Sequence, residues 1–218
     1  MSFFNIEGIP GPGAKIYSNI VAKSPIINDF YREVAREVTA KVRSGTILDI
    51  GTGPGYVPID IALSAPGLEI KAIDISTAMV DIANKNAREA GVSEHVQFKF
   101  GSAEKIPFED NSFDLIISTL SFHHWARPEN CFLEILRTLK PGGEAWIFEI
   151  RKDVPEEAKQ KLRKDYGWFL SFLVLYVART HSSVKLQRFK DLHSLCKLGF
   201  SKIETEDNGI TISLRMLK

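Results

Sequence analysis

Thr46-Ile-Leu-Asp49-Ile-Gly51-Thr52-Gly53-Pro-Gly55-Tyr56-Val-Pro58-Ile-Asp-Ile-Ala62 is the stretch whose reading decides the fold. An apolar run, Ile47 to Ile50, enters a loop with glycine at Gly51, Gly53 and Gly55. Val57, Ile61 and Ala65 then recur at the spacing of one helical face. Pro58 suits a first helical turn, where its missing N–H costs nothing. The pattern predicts strand, glycine turn, helix. Glycine at every second position lets the backbone turn tightly and approach a ligand, and the helix start turns unpaired N–H groups towards it. The glycines alone fit either an ordinary βα turn or a nucleotide-like ligand site.

Working outward, the same alternation continues. Leu68 to Ile73 reads as a second strand ending at Asp74, and Ser76 as the cap of a helix carrying Met79, Ile82, Ala83 and Ala87 until Gly91. Val96 to Phe100 and Phe113 to Thr119 read as further strands, separated by about a dozen residues, near the minimum for a crossover and too few for a full helix. Pro128 opens a helix with Phe132, Ile135, Leu136 and Leu139 inward; Pro141-Gly142-Gly143 ends it, and Ala145 to Ile150 is a fifth strand. Near the end, a helix is expected around 189–198. A hairpin follows, turning at Asp207-Asn208-Gly209, with Ile210, Ile212, Leu214 and Met216 alternating. The expected fold is α/β: a doubly wound, mostly parallel seven-stranded sheet with an antiparallel C-terminal hairpin.

The chain reads as a single domain over residues 1–218. It includes an N-terminal helical cap over 1–44, with Ser24-Pro25 opening a helix that turns Phe30, Val34 and Val38 inward. Tyr17 and Tyr31 either cover a ligand cleft or pack. A helical insertion over 151–183 contains the aromatic segment 166–178, which fits an acceptor pocket, a buried cap or a homodimer contact. At 218 residues, 44% hydrophobic and 25% charged, with a net charge of +1, the composition is that of a globular protein and gives no sign of a nucleic-acid partner. Two cysteines, Cys131 and Cys196, read as buried free thiols of a reducing compartment. The N-terminus lacks a signal-peptide pattern, and no apolar run approaches the roughly 20 residues of a transmembrane helix. The expected location is the cytoplasm.

In an open α/β sheet, ligands bind outside the carboxyl ends of the strands where the strand order reverses. Three such ends carry unusual polar groups: Asp49-Ile50-Gly51, Ile73-Asp74-Ile75 and Ser118-Thr119. Asp74, roughly twenty residues beyond the glycine loop, is placed to accept from both hydroxyls of a ribose. Asp49 separates possible cofactors. The loop is G-x-G-x-G rather than the dinucleotide G-x-G-x-x-G, with Tyr56 where the third glycine would stand. A carboxylate two residues before the loop repels a pyrophosphate and attracts a sulfonium or ammonium.

Asp49-Ile-Gly51-Thr52-Gly53-Pro-Gly55 resembles the first motif of class I S-adenosylmethionine-dependent methyltransferases, and Ala72-Ile-Asp74-Ile-Ser76 resembles their acidic second motif. Gly101-Ser-Ala-Glu-Lys-Ile-Pro107-Phe108, Asn111-Ser-Phe-Asp114 and Leu139-Lys-Pro141-Gly142-Gly143 resemble the branch that includes the quinone-biosynthesis C-methyltransferases. The resemblance covers residues 46–150 in order and spacing. It implies S-adenosylmethionine as cofactor, S-adenosylhomocysteine as product, and a small, apolar or aromatic acceptor. It places the Gly51–Gly55 loop, with Thr52 and Gly53, against the methionine part and Asp49 near its amino group. Asp74 would hold the ribose, Ile75 and Met79 would flank the adenine, and Ser102 and Ala103 would meet its edge. Many relatives have Asp at the position of Ser102. Ser118 and Thr119 would face the sulfonium and methyl group through backbone carbonyls.

His123 and His124, just after the fourth strand, are the candidate general bases, for a nucleophile that must lose a proton; the other reading is that one ring packs under the cofactor. His95, His181 and His193 read as surface or helix residues, and no cluster has metal-ligand spacing. The fourth strand continues Thr119-Leu-Ser-Phe122, without the motif of amino-directed nucleic-acid methyltransferases. Two rival functions remain: a non-catalytic S-adenosylmethionine-binding domain, and a nicotinamide-dependent dehydrogenase, against which Asp49 and Tyr56 argue.

Overall fold

The computed structural model describes residues 24–181, 192 and 198–218. The glycine–proline run at 8–13, Tyr17, and most of the helix expected around 189–198, with His193 and Cys196, lie outside the described residues.

Helix α1 (Pro25–Lys41) begins as its sequence dictates: the Ser24 hydroxyl accepts from the Ile27 N–H at 3.3 Å and Pro25 holds the first turn. Its apolar stripe, including Ile27, Phe30, Val34 and Val38, is buried. Strand β1 (Gly45–Ile50), α2 (Tyr56–Ser64), β2 (Leu68–Asp74), α3 (Thr77–Glu89) and β3 (Val96–Phe100) follow. Then come β4 (Phe113–Thr119), a short 3₁₀ turn (Phe122–His124), α4 (Pro128–Thr138), β5 (Leu139–Ile150), α5 (Glu156–Tyr166), α6 (Trp168–His181), β6 (Lys202–Asp207) and β7 (Thr211–Leu217).

The seven strands form one sheet in the order β3-β2-β1-β4-β5-β7-β6, parallel except where β7 pairs antiparallel with β5 and with β6. The strand order reverses beside β1, which lies between β2 and β4. Period-two alternation divides the core. Ile47, Leu115, Ile117, Trp146 and Phe148 pack with α1 and α2 on one face, while Leu48, Ile50, Ile116, Ile147 and Leu214 pack with Phe132 and Ile135 of α4 on the other. Each fully buried residue of this size contributes about 1.5–3 kcal/mol.

The link from β3 to β4 contains no helix, as the spacing requires, and α4 staples it instead. Arg137 donates to the carbonyls of Phe108 and Ile106 at 2.9 and 3.0 Å, and Glu134 accepts from the Ile106 N–H at 2.8 Å. The Pro141-Gly142-Gly143 segment does not precede β5 but lies within it. Phe113 pairs with Leu139 and Leu115 with Glu144, so β5 bulges out between those two pairs, with Gly142 at φ 76°. Ser76 occupies the N-cap position of α3, yet its side chain makes no capping bond.

From Trp168 on, the aromatic segment is helix α6, which Gly167 (φ 80°) separates from Tyr166 at the end of α5. It buries Ser171 and Val174 and turns Trp168, Phe169, Phe172 and Tyr176 outward, with Trp168 and Phe172 stacked at 5.6 Å. The Tyr166 hydroxyl donates to Asp29 at 2.8 Å, fastening the end of α5 to α1. Among the described residues no helix is long and apolar enough to cross a membrane.

Gly55, at φ 80°, starts α2 where a Cβ would lie 2.8 Å from the Phe98 ring of β3 and 3.0 Å from Ala83 of α3. This glycine is what lets the helix seat against its neighbours. Gly55→Ala combines a disfavoured backbone conformation with overpacking and should cost about 2–4 kcal/mol of unfolding free energy by urea denaturation.

Candidate functional site

The carboxyl ends of β1, β2 and β4 meet in one crevice, and the chain's geometry there is set by hydrogen bonds to the backbone. The Gly51 and Thr52 N–H groups donate to the Ile73 carbonyl at 2.8 and 3.0 Å, so the loop leaving β1 folds over the end of β2. Asp74 is 8% exposed, and its two oxygens accept from different backbone donors, Gly53 N–H and Ser76 N–H, each at 2.8 Å. One carboxylate therefore ties the glycine loop to the start of α3. Each oxygen keeps lone-pair capacity for a further donor such as a hydroxyl. Asn86 adds a bond from its side-chain amide to the Pro54 carbonyl at 2.8 Å.

Gly53, at φ 53°, has open space where a Cβ would stand, so the loop backbone is bare towards the crevice. At Gly51 a Cβ would collide with the Ser121 side chain, which shows that the loop and the turn after β4 are in contact. Asp49 is 2% exposed, and its Oδ1 finds no hydrogen-bond partner within the protein; the same holds for Thr52 Oγ1 and Thr119 Oγ1. A buried polar atom left unpaired costs about 1–3 kcal/mol. Three such atoms at the ends of β1 and β4 mark a polar wall that the fold itself does not satisfy.

Burial pushes the Asp49 carboxyl up to about 7. The nearby Thr52 hydroxyl, which makes no formed hydrogen bond, offsets part of that rise, and the Asp74 charge adds to it. Asp74 is likewise raised by burial, against the two backbone donors. Two acidic groups sharing one crevice make it a place for positive charge.

Ile75 is half-buried and Met79, in the first turn of α3, is 2% exposed. Ser102 and Ala103 are half-buried on the β3–β4 link, where the Ser102 hydroxyl accepts from the Glu104 N–H at 3.2 Å. The Ser118 hydroxyl is turned into the sheet and donates to the Ile50 carbonyl at 2.9 Å, locking β4 to β1. Thr119 ends β4, and Leu120 follows at φ 54°, its N–H held by the Phe148 carbonyl at 2.9 Å. A non-glycine residue there is strained, a condition common where a chain turns to present functional groups.

That turn presents His123 and His124, whose rings lie 4.1 Å apart. His124 is exposed; His123 is held by Glu149 of β5. Both Glu149 oxygens lie 3.1 Å from His123 Nδ1, and Oε1 also accepts the His123 backbone N–H at 3.2 Å. Glu149 is fully buried and His123 is 11% exposed at the side chain. Neither Glu149 nor Ser121 stood out in the motif reading. Glu149 does carry a signal: one acid inside the apolar strand Ala145-Trp-Ile-Phe-Glu149-Ile150 must find a partner or not be charged. Ser121 has no such signal, since only the fold sets it against Gly51. His95 is exposed, and His181 closes α6. Among the described residues no group of His, Cys, Asp and Glu could hold a metal ion.

The methyltransferase-domain family model matches residues 48–147. A ubiquinone/menaquinone biosynthesis C-methyltransferase of Azotobacter vinelandii is 28% identical over 148 residues, 64% of this chain and 58% of that protein. The chain thus matches little more than half the length of that relative. A crystal structure from Methanococcus maripaludis, solved as a candidate S-adenosyl-L-methionine-dependent methyltransferase, superposes with a TM-score of 0.78 at 26% identity, covering 100% of this chain and 97% of that one. A Haemonchus contortus phosphoethanolamine N-methyltransferase, solved with S-adenosylhomocysteine, shares the fold at a TM-score of 0.65 and 24% identity over 91% of this chain and 44% of that one.

The raised Asp49 carboxyl makes a prediction with a definite sign. A carboxyl held above its unfolded value favours the folded state fully below the unfolded pKa, about 3.9, and progressively less up to the folded value. Wild-type stability should therefore fall between about pH 4 and the folded value of about 7 through this group. Asp49→Asn removes that dependence. In urea denaturation it should gain on wild type from pH 5 to pH 8, and a constant difference across that range would count against the assignment.

Proposed function

We propose, from the premise that the chain carries a class I S-adenosylmethionine-dependent methyltransferase domain, that it transfers the cofactor's methyl group to a small, apolar or aromatic acceptor. The observation that carries this reading is the crevice at the ends of β1, β2 and β4, with its bare Gly53, its two acidic groups and its unsatisfied polar atoms. Those features fit a nucleoside that bears a positive charge.

In this reading Asp74 holds the ribose hydroxyls while continuing to anchor the glycine loop. Gly51, Thr52, Gly53 and Gly55 shape the bed for the methionine part. Asp49, whose Oδ1 has no partner within the protein, lies near the ammonium; burial holds its carboxyl up at about 7, and a cationic ligand favours its charged form. Ile75 and Met79 flank the adenine, and Ser102 and Ala103 border its edge. Ser118 fixes the end of β4, so that Ser118 and Thr119 turn backbone carbonyls to the reacting region. The cofactor supplies an activated methyl on a leaving group that departs neutral. What remains for the chain is alignment of acceptor, methyl and sulfur, which can account for a large share of the acceleration.

The named relative acts in ubiquinone and menaquinone synthesis, which favours a quinone-like ring as acceptor. The helical segment over 151–183 is read as the cover of the acceptor site, with the N-terminal segment over 1–44 as its cap. The outward rings of Trp168, Phe172 and Tyr176 support a contact between two copies of the chain. The chain is read as cytoplasmic, in keeping with a composition that favours neither membrane nor nucleic acid.

S-adenosylmethionine or S-adenosylhomocysteine at 100-fold over Kd should stabilise the protein by about 2.7 kcal/mol, roughly 5–10 °C of Tm for a domain of this size. Asp74→Ala, which removes both the loop anchor and the ribose acceptor, should abolish most of that shift in the same thermal scan. Wild-type protein that does not respond to either ligand refutes the reading. Labelled methyl transfer into a fractionated cell extract then identifies the acceptor, and a melting shift without any transfer would favour the non-catalytic binding domain.

A further inference from the structure

We propose that Glu149 and His123 form a carboxylate–imidazole pair that takes a proton from the methyl acceptor, and that the acceptor is therefore a phenol, an enol or a ring carbon activated by such a hydroxyl. The proposal rests on the methyl-transfer reading above and adds to it a base, a positioning residue and an acceptor class.

The geometry fixes the tautomer. An ionised carboxylate only accepts hydrogen bonds, and both Glu149 oxygens sit 3.1 Å from His123 Nδ1, so Nδ1 carries the proton. The other nitrogen, Nε2, then keeps its lone pair and is the basic atom. The backbone is tied to the same acid, because Oε1 also accepts the His123 N–H at 3.2 Å. Glu149 lies fully buried at the carboxyl end of β5, registered against Ile212 of β7, and cannot wander. The pair is therefore a fixed device, unlike an exposed ion pair. Its location matters as much: His123 belongs to the turn that follows Thr119, and Ser121 of that turn touches the loop at Gly51.

Charge and burial pull His123 in opposite directions. Burial disfavours its imidazolium, but the charge and hydrogen bond of Glu149 outweigh this and hold the ring above its ordinary value. The neighbouring titratable ring is His124, at 4.1 Å. Such a base suits a phenol-like acid of pKa about 10, a few units away. An alkyl hydroxyl is a far weaker acid, so a phenol-like group is the closer match to this base. A thioether or tertiary amine has no proton to give and would leave the pair without work. Beneath the turn, Phe122 and Trp125 pack at 5.3 Å and Phe122 and Phe132 at 6.1 Å within the buried core, which anchors the turn that carries His123.

The step balances. The acceptor's oxygen or ring carbon forms a bond to the methyl carbon as the carbon–sulfur bond breaks, and that bonding pair returns to sulfur. The acceptor proton passes to His123 Nε2, and the imidazolium, steadied by Glu149, releases it to water.

The test uses full-length protein, labelled S-adenosylmethionine and the extract fraction that wild type labels. His123→Gln should lower the rate at least about 100-fold and Glu149→Gln about 10-fold or more, with the melting shift by S-adenosylhomocysteine unchanged. The double variant should be no slower than His123→Gln, because the two residues act as one unit. In Glu149→Gln the acid limb of the pH–rate profile should move to lower pH, as loss of the negative charge lowers the imidazole pKa; a purely structural role would not move it. If Glu149→Gln loses its cooperative melt, His123→Gln alone decides. A His123→Gln rate within about threefold of wild type overturns the proposal, as does a product methylated on a thioether or tertiary amine. If wild type binds S-adenosylhomocysteine but labels nothing, the methyl-transfer reading fails and the pair's role falls with it; if wild type transfers and His123→Gln does too, only this proposal fails.

Discussion

The structure depends on what Asp74 does with its two oxygens. One takes the Gly53 N–H and the other the Ser76 N–H, so a single side chain joins the glycine loop to the helix after β2. Charge-assisted bonds to backbone amides are among the stronger interactions available to a side chain. Here they hold a loop whose glycines would otherwise have the most conformational freedom to lose on folding. The same carboxylate is the one we propose for the ribose hydroxyls. In that reading binding and loop order share one group, and the residue that meets the ligand is the one that holds the backbone around it.

Much of this was legible in the sequence, and for identifiable reasons. The strand–glycine–helix unit, the second strand ending in an acid and the closing hairpin all carry period-two or 3.6-residue patterns with turn residues between them. The misreadings are equally specific. Pro141-Gly142-Gly143 looked like a terminator, yet pairing with Phe113 on one side and Leu115 on the other keeps both flanks in β5. Tertiary context overrode local turn chemistry. Ser76 looked like a cap, but Asp74 claims its N–H and its hydroxyl makes no capping bond. The 166–178 segment looked apolar all round, and composition could not say which side faces out. Packing on Ser171 and Val174 settles that, and leaves Trp168, Phe169, Phe172 and Tyr176 exposed.

The candidate site divides along the same line. Asp49, the glycines and Asp74 occur in a short run that can be read as motifs. Glu149 could not be joined to His123 from sequence, because the contact runs from β5 to the turn after β4 and depends on the register of those two strands. Motifs record local geometry; partnerships across a sheet are written in the pairing. The electrostatics follow from the partnership. Asp49 and Asp74 at the ends of β1 and β2, both raised by burial, and Glu149 behind the histidine gather three acidic groups around the crevice. In the proposed reading a cationic cofactor favours their charged forms on arrival and ceases to do so once its positive charge has been spent.

The position of β7 has a meaning for folding. β5 takes its far-side partner from residues 211–217, and β1 takes β4 from a stretch just as remote: Ile47 pairs with Leu115 and Ile147 with Leu214. Pairings of this reach close slowly. Until β7 arrives, the strand bearing Glu149 shows an open, apolar edge that another chain can pair with. β7 therefore guards that strand against self-association as well as completing the sheet.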